Sequence, residues 1–359
     1  MTEFDRAFME YALRQAAALW NFDAARAETV PGHKGGRNLV FRLGADRVLR
    51  LSALTDRTEE DYLAETEYVH YLAGNGASVA DAYPSVNGRF AEILADGESR
   101  CAAAVFQTAQ GDQIADHGYR YREGAPLEEY WFNTGKTLGK IHALSVCYRP
   151  EHPRFDFFDR YNEAYFDRLI PDAFASAFLG GKPAGRDIKE KLRGLLDKLR
   201  LLPRNAEQYG MIHFDYSDGN YNIDYENGKI TVFDFDNCRT GWYLFDLANL
   251  WAHGVGWVAW NADATQRRRF MDRYMDVTLQ GYRTEMRLSD EMLAMLPLMV
   301  DAVRMENIID EFEANPAGEG APGCDGEQAY RLKGLLEDAP FMGFFSDDYD
   351  PGSPFDLDP

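Results

Sequence analysis

Cysteine is scarce in this chain and poorly placed for any framework. The four cysteines, Cys101, Cys147, Cys238 and Cys324, lie far apart with no C-x-x-C pair. That spacing excludes a disulfide scaffold or a zinc ribbon and reads as free thiols in a reducing compartment. Long apolar runs are missing too, since none approaches the roughly 18 residues that a membrane span needs. The opening "MTEFDRAFMEY" is acidic and has no basic region leading into an apolar run, so no signal peptide is visible. Positive charge is the third shortage. With 38 Lys and Arg against 59 Asp and Glu, the formal charge is −21, which leaves no broad basic surface for nucleic acid or an anionic membrane. The expected address is the cytoplasm, with no nucleic-acid and no membrane partner; the oligomeric state stays open.

What is present suffices for a large core. The 359 residues are 45% hydrophobic, enough for one large or two medium domains. "EFDRAFMEYALRQAAALWNF" has apolar residues at helical spacing and predicts an opening amphipathic helix. Two short β-type runs follow, around 38–43 and 47–51, joined by "GAD" and preceded by the glycine-rich "PGHKGGRN". "RTEEDYLAETEYVHYLAGNG" predicts a helix closed by glycine, and "FAEILADGESRCAAAVFQTAQG" two strands around a D-G turn. Beyond "AQGD" the chain is mainly helical: "LEEYWFNTGKTLGKIHALS", "DIKEKLRGLLDKLRLL", and stretches around 263–283 and 288–314, then a last short helix. The expected division is 1–19 as an N-terminal helix, 20–110 as a small sheet-rich lobe, 111–345 as a larger helical lobe, and 346–359 as an acidic tail.

Residues 211–251, "MIHFDYSDGNYNIDYENGKITVFDFDNCRTGWYLFDLANLW", crowd Asp215, Asp218, Asp224, Asp234, Asp236 and Asp246 among aromatic and β-branched residues. Buried carboxylates are costly unless something positive pairs with them. "NYNID" and "KITVFDFD" flank "YENG" and predict a hairpin. A three-residue loop sets Asn220 opposite Asp234, and a two-residue loop shifts the register by one. Either way an amide oxygen and a carboxylate come together at the open end, hard ligands of the kind that suit Mg²⁺. Asp215 lies just upstream on a loop, where a carboxylate can orient a nucleophile or accept its proton. Asp218 and Asp224 read as turn residues. Asp236 is open between support of a second metal and loop geometry, and His213 reads as a packed loop histidine.

The run His213, Asp215, Asn220, then "VFDFD" through Asp234 and Asp236, then "DLA" at Asp246–Ala248, resembles the aminoglycoside phosphotransferase and choline kinase family. As a set these motifs are specific. The resemblance extends from about 20 to 312. It implies an α+β, protein-kinase-like bilobal fold, with a small antiparallel-sheet N-lobe that covers the nucleotide and a larger mainly helical C-lobe. It implies Asp215 as the catalytic base, Asn220 and Asp234 as Mg²⁺ ligands, and Asp246 as a brace for the loop. "PGHKGGRN" stands where the phosphate-covering loop falls, without the protein-kinase G-x-G-x-x-G spacing. Arg50 in "VLRLS" stands where protein kinases carry lysine, and its fork suits phosphate oxygens. Glu65 is the chosen partner for Arg50, with Glu67 as the alternative. The backbone around Phe106–Thr108 is expected to meet the adenine.

The activity implied is ATP-dependent phosphoryl transfer, GTP not being excluded, to a hydroxyl of a small-molecule alcohol acceptor. Trp242, Tyr243, Trp251, Trp257 and Trp260 offer rings to that acceptor, and Glu306, Asp310 and Glu313 offer charge for an ammonium. An amine-bearing acceptor such as an aminosugar or amino alcohol is therefore expected. His142, in the helix ahead of the catalytic loop, reads as core. Two rivals stay open: a non-catalytic binding protein on the same fold, and a protein kinase. The second lacks D-F-G, A-P-E and room for an activation segment between Asp234 and Asp246.

Overall fold

The computed structural model describes residues 6–30, 38–175, 179–256, 264–314 and 326–339. Most of "PGHKGGRN", Trp257, Trp260 and the tail 346–359 lie outside the described residues. Contacts divide the chain into two compact units. The first is Met1–Gln113, Cys147–Phe155 and Asn220–Cys238; the second is Ile114–Val146, Asp156–Gly219 and Arg239–Pro359. By contacts, then, the hairpin within the stretch 111–345 groups with the first unit.

The first unit opens with helix α1 (Arg6–Trp20), followed by β1 (Glu28–Thr29), β2 (Asn38–Leu43) and β3 (Arg47–Ala53). Next come α2 (Glu59–Gly74), β4 (Ala82–Tyr83), β5 (Glu92–Asp96) and β6 (Ser99–Gln107). The strands form one antiparallel sheet in the order β1-β2-β3-β6-β4, with β5 also paired to β6. Phe8, Ala12, Ala16 and Trp20 recur every four residues and make one face of α1. That face packs on Leu49 and Leu51 of β3 and on Cys101, Ala103 and Val105 of β6. Each leucine so buried contributes roughly 1.5–3 kcal/mol. Strand alternation turns Arg50, between those leucines, to the opposite face. There α2 begins with a capping box between Thr58 and Asp61, which satisfies two of the backbone donors exposed at its start.

The second unit is mainly helical: α3 (Leu127–Cys147), α4 (Phe157–Arg160), α5 (Glu163–Leu169) and α6 (Gly185–Arg200) lead into β7 (Tyr209–Ile212). The chain then makes the hairpin β8 (Tyr221–Ile223) and β9 (Ile230–Val232), counted with the first unit, and returns through β10 (Arg239–Trp242). Helices α7 (Tyr243–Gly256), α8 (Ala264–Arg283), α9 (Asp290–Leu293), α10 (Leu296–Ala314) and α11 (Gly326–Leu336) follow. β7 and β10 pair antiparallel, Ile212 opposite Arg239, and so join the start of the Asp215 loop to the chain entering α7. Among the described residues no helix is long and apolar enough to cross a membrane.

The hairpin register differs from the 454 − i pairing that a three-residue loop sets. Tyr221 pairs with Val232 and Ile223 with Ile230, and the Phe233 amide donates to the Asn220 carbonyl at 2.9 Å. Asn220 therefore stands opposite Phe233, not Asp234. The cause is Asp224, whose carboxylate accepts from the Glu226 amide at 2.9 Å and from Asn227 Nδ2 at 2.6 Å. That side-chain turn, with Gly228 at φ +76°, lengthens the connection beyond three residues.

Candidate active site

In the first unit the charged residues hold one another. Arg50 Nη2 donates to Glu65 Oε2 at 2.7 Å, with Arg50 at 7% and Glu65 at 0% side-chain exposure. Arg50 Nη1 lies 3.7 Å from Asp234 Oδ1, and the Asp234 side chain keeps 30% exposure. Its guanidinium also stands 5.0 Å from the centre of the Phe106 ring, a cation–π contact on β6. Burial works against the charge on Arg50, but Glu65, Asp236 and Asp234 outweigh it, and the arginine is held above its ordinary pKa. Glu67, the alternative partner, is instead bonded to His152 Nδ1 at 2.8 Å.

Asp234 adopts a left-handed backbone, φ +61° and ψ 60°, just ahead of the 3₁₀ turn Phe235–Asn237. For a non-glycine residue that costs of order 1–3 kcal/mol and is found where function constrains the chain. Two residues on, Asp236 Oδ2 accepts from Asn38 Nδ2 at 2.8 Å and faces Arg57 Nη1 at 3.9 Å. These ties hold Asp236 within the turn. Asn220 is half-buried at the start of the hairpin. Asn220 and Asp234 are both oxygen donors, and Asp234 remains open to solvent. Two protein ligands of this type fit Mg²⁺, which keeps several waters and completes its shell with phosphate oxygens. Among the described residues no group of three or more His, Cys, Asp or Glu is placed to hold a metal.

The linker after β6 differs in detail from the expected adenine contact. The Gln107 amide donates to Asp81 O at 2.7 Å and the Thr108 amide to Asp46 O at 2.8 Å. Both N–H groups are spent on backbone carbonyls just outside β3 and β4, so a ligand edge has to meet other groups of the linker. Asn222 secures that linker: its Nδ2 donates to Ala109 O at 3.0 Å and to Gly111 O at 2.9 Å. Gly111, at φ +87°, lies so close that a Cβ there would sit 2.0 Å from Ile223 O. Asn222 carried no sequence signal beyond its place between Asn220 and Asp224.

In the second unit the backbone around Asp215 is pinned from several sides. Phe214 has φ +74°. Asp246, 0% exposed, accepts from the His213 amide through Oδ2 and from the Phe214 amide through Oδ1, both at 2.8 Å. His142 Nε2 lies 3.0 Å from the same Oδ2, and its Nδ1 lies 2.9 Å from Tyr282 Oη. Asn249 Nδ2 donates to Phe214 O at 2.5 Å. The Phe214 ring stacks on Phe245, 4.4 Å between centroids and 8° between planes, and the Arg239 guanidinium lies 3.5 Å from its centre. His213 is buried with its ring edge-on to Tyr216. Sequence reading placed Asp246 and left His142 in the core; it passed over Asn249 and Arg239. Asn249 lies three residues after Asp246, on the same helix face, which is a usable signal.

Asp215 is half-buried on this loop, and it bears on Glu306 of α10. Burial, then Asp310, then Asp215 raise the Glu306 carboxyl well above its ordinary pKa, with Arg160 opposing. Arg160 is itself engaged, bonding Asp310 and, at 2.9 Å, Glu313. Of the rings considered for the acceptor, Trp242 and Tyr243 are core residues at 1% exposure, and Trp242 Nε1 is tied to Pro203 O at 3.0 Å.

A sheet unit with a buried Arg–Glu pair and a helical unit with a braced Asp loop are the parts of a protein-kinase-like phosphotransferase. Residues 28–288 match the phosphotransferase enzyme family, and the chain belongs to that family. It is similar to the amicoumacin kinase of Bacillus subtilis (strain 168), 26% identical over 325 residues, which is 86% of this chain and 88% of that one. Among solved structures, amicoumacin kinase hAmiN in complex with AMP-PNP, Ca²⁺ and Ami superimposes with a TM-score of 0.77 at 21% identity, over 96% of each chain. A microcompartment-associated aminopropanol kinase gives 0.67 at 16% identity, over 92% of this chain and 95% of that one. The expected α+β bilobal fold is thereby shown. The chain is a phosphotransferase with an alcohol group as acceptor, a small-molecule kinase.

Proposed function

We propose that this kinase phosphorylates a hydroxyl of an amine-bearing small molecule, with Asp215 as the base and Asn220 and Asp234 as the Mg²⁺ ligands. The observation that carries the amine is the carboxyl group of Glu306 beside Asp215. Burial first, then Asp310 and Asp215, disfavour the charged form of Glu306, and Arg160, which also bonds Asp310 and Glu313, opposes them only in part, so a further cation would favour its ionisation. An ammonium on the acceptor is such a cation. The names of the similar amicoumacin and aminopropanol kinases point the same way.

In this reading Asp215 orients the acceptor hydroxyl and takes its proton as the oxygen bonds to the γ-phosphorus. The bond from that phosphorus to the β–γ bridging oxygen breaks, and ADP leaves. Bound Mg²⁺ would neutralise charge on the phosphate oxygens. Arg50, kept charged and aimed by Glu65, meets the nucleotide phosphates, and the linker at Phe106–Thr108 faces the adenine. Most of the acceleration comes from positioning and from fixed charge.

The test is ADP release from Mg-ATP across amino alcohols, aminoglycosides, uncharged sugars and anionic alcohols, with Asp215→Ala as background. Turnover of an amine-bearing alcohol that vanishes in Asp215→Ala, while Mg-nucleotide binding persists, is the expected result. An efficient uncharged or anionic acceptor overturns the amine preference, and wild-type-like turnover in Asp215→Ala overturns the base.

A further inference from the structure

Arg154 makes three hydrogen bonds, all to backbone carbonyls. Its Nε donates to Cys238 O at 2.7 Å, its Nη1 to Asp61 O at 2.5 Å and its Nη2 to Asp236 O at 2.5 Å. The side chain is 0% exposed, with Asp61 Oδ1 at 3.9 Å. The Phe155 ring lies against it, 4.3 Å from the guanidinium, and against Arg57 at 5.6 Å. Arg57 in turn donates to Asn237 Oδ1 at 2.8 Å. Two buried arginines and one ring thus enclose the turn that follows Asp234.

The positions of the three carbonyls matter more than their number. Asp61 lies in the first turn of α2, one helical turn before Glu65. Asp236 and Cys238 belong to the turn that begins at Asp234. Arg50 links these same two elements through side chains, to Glu65 at 2.7 Å and to Asp234 at 3.7 Å. Arg154 links them through backbone. A guanidinium can do this because its donors form a rigid planar fork; a lysine ammonium is a single point of charge.

We propose that Arg154 is a positioning residue for the nucleotide site: it sets the separation of α2 from the Asp234 turn, so that Arg50 reaches both carboxylates at once. This rests on the reading of Arg50, Glu65 and Asp234 given above. It also makes α2 a fixed element, already seated before nucleotide arrives. Kinetic constants for Mg-ATP carry the effect, and those for the acceptor do not.

The test is a double-mutant cycle of Arg154→Lys with Glu65→Gln, each variant first checked for a cooperative thermal melt. Arg154→Lys is expected to raise KM for Mg-ATP about tenfold, the usual scale for groups standing behind a ligand set, with acceptor KM within about twofold. In its background the penalty of Glu65→Gln shrinks, because the two act on one geometry. Additive penalties, or equal changes in both KM values, overturn the proposal. A Glu65→Gln protein with unchanged KM for Mg-ATP overturns the nucleotide-site reading beneath it. Hydrogen exchange on the unaltered chain provides a check that needs no variant. Amides of residues 61–67 should exchange alike with and without Mg-AMP-PNP, and strong nucleotide-induced protection there overturns the fixed α2.

Discussion

Arg50 and Asp215 are each the central charge of their unit, and they are held in contrasting ways. Arg50 is held by other charged side chains, Glu65 and Asp234, with a ring beneath it. Asp215 is held through the backbone of its neighbours: Asp246 and Asn249 grip the peptide groups of His213 and Phe214, and Phe245 and Arg239 flank the Phe214 ring. A side-chain network can be weakened one member at a time, since each ion pair has its own strength. A backbone clamp on a left-handed residue is closer to all-or-none, because the strained conformation persists only while its surroundings over-determine it.

The sharpest way to break that contrast is Asp246→Ala. It strands two buried amides and the His142 ring, so both turnover and stability should fall. The stability loss is expected at about 3–5 kcal/mol, as for other buried partners removed singly, with a decrease of roughly a hundredfold or more in kcat from a misplaced base. Denaturant unfolding alongside steady-state kinetics checks it; a normal kcat in a folded Asp246→Ala protein would mean the clamp is dispensable.

On the side-chain network, Glu65→Gln should act more gently. Loss of one charge-assisted hydrogen bond, worth about 1.5–3 kcal/mol, is expected to appear mainly as a roughly tenfold or larger rise in KM for Mg-ATP. Titration of the acceptor at saturating nucleotide separates this from a general loss of fold.

The acidic residues near Asp215 give a pH signature of opposite sign to most carboxylates. Glu306 is raised above its ordinary value of 4.5, so between that value and its raised one the folded protein holds more protons than the unfolded chain. Stability from this group therefore falls as pH rises through that window. Affinity for an ammonium-bearing acceptor should climb over the same range as Glu306 ionises. Glu306→Gln should flatten both profiles, which thermal melts and acceptor KM across pH will read.

The smallest effect is assigned to Asp224→Ala. The side chain closes only the hairpin turn, at 2.6 and 2.9 Å, and its loss should cost about 1 kcal/mol with kcat unchanged. A large drop in turnover would show that the hairpin register itself governs Asn220 and Asp234.

Residues that speak through spacing were legible beforehand. The amphipathic face of α1 and the strand under Arg50 carry their meaning in the chain itself, and the Arg50–Glu65 pair came from the resemblance and is present. The hairpin register stayed open between two pairings because the share of the loop built by the Asp224 side chain is a choice between side-chain and backbone hydrogen bonds that spacing alone does not decide. Arg154 and Arg239 escaped for another reason. Their partners are carbonyls and rings far away along the sequence, and a guanidinium bonding to backbone leaves no complementary residue type to look for. The spent amides of Gln107 and Thr108 belong to the same class, since their partners are backbone carbonyls of turns distant in sequence.

Where α3 meets α8 the two backbones come unusually close at three glycines. A Cβ on Gly135 would fall 1.9 Å from Thr278 O, one on Gly139 2.5 Å from Tyr282 O, and one on Gly281 2.0 Å from Phe132 O. His142 and Tyr282, the pair behind Asp246, sit on these two helices. Any change on α8 therefore inherits a boundary condition: a single added methyl at Gly281 is expected to wedge the helices apart and to reach the Asp215 loop through His142 and Asp246. Libraries that leave these three positions untouched should yield many more active clones than libraries that do not.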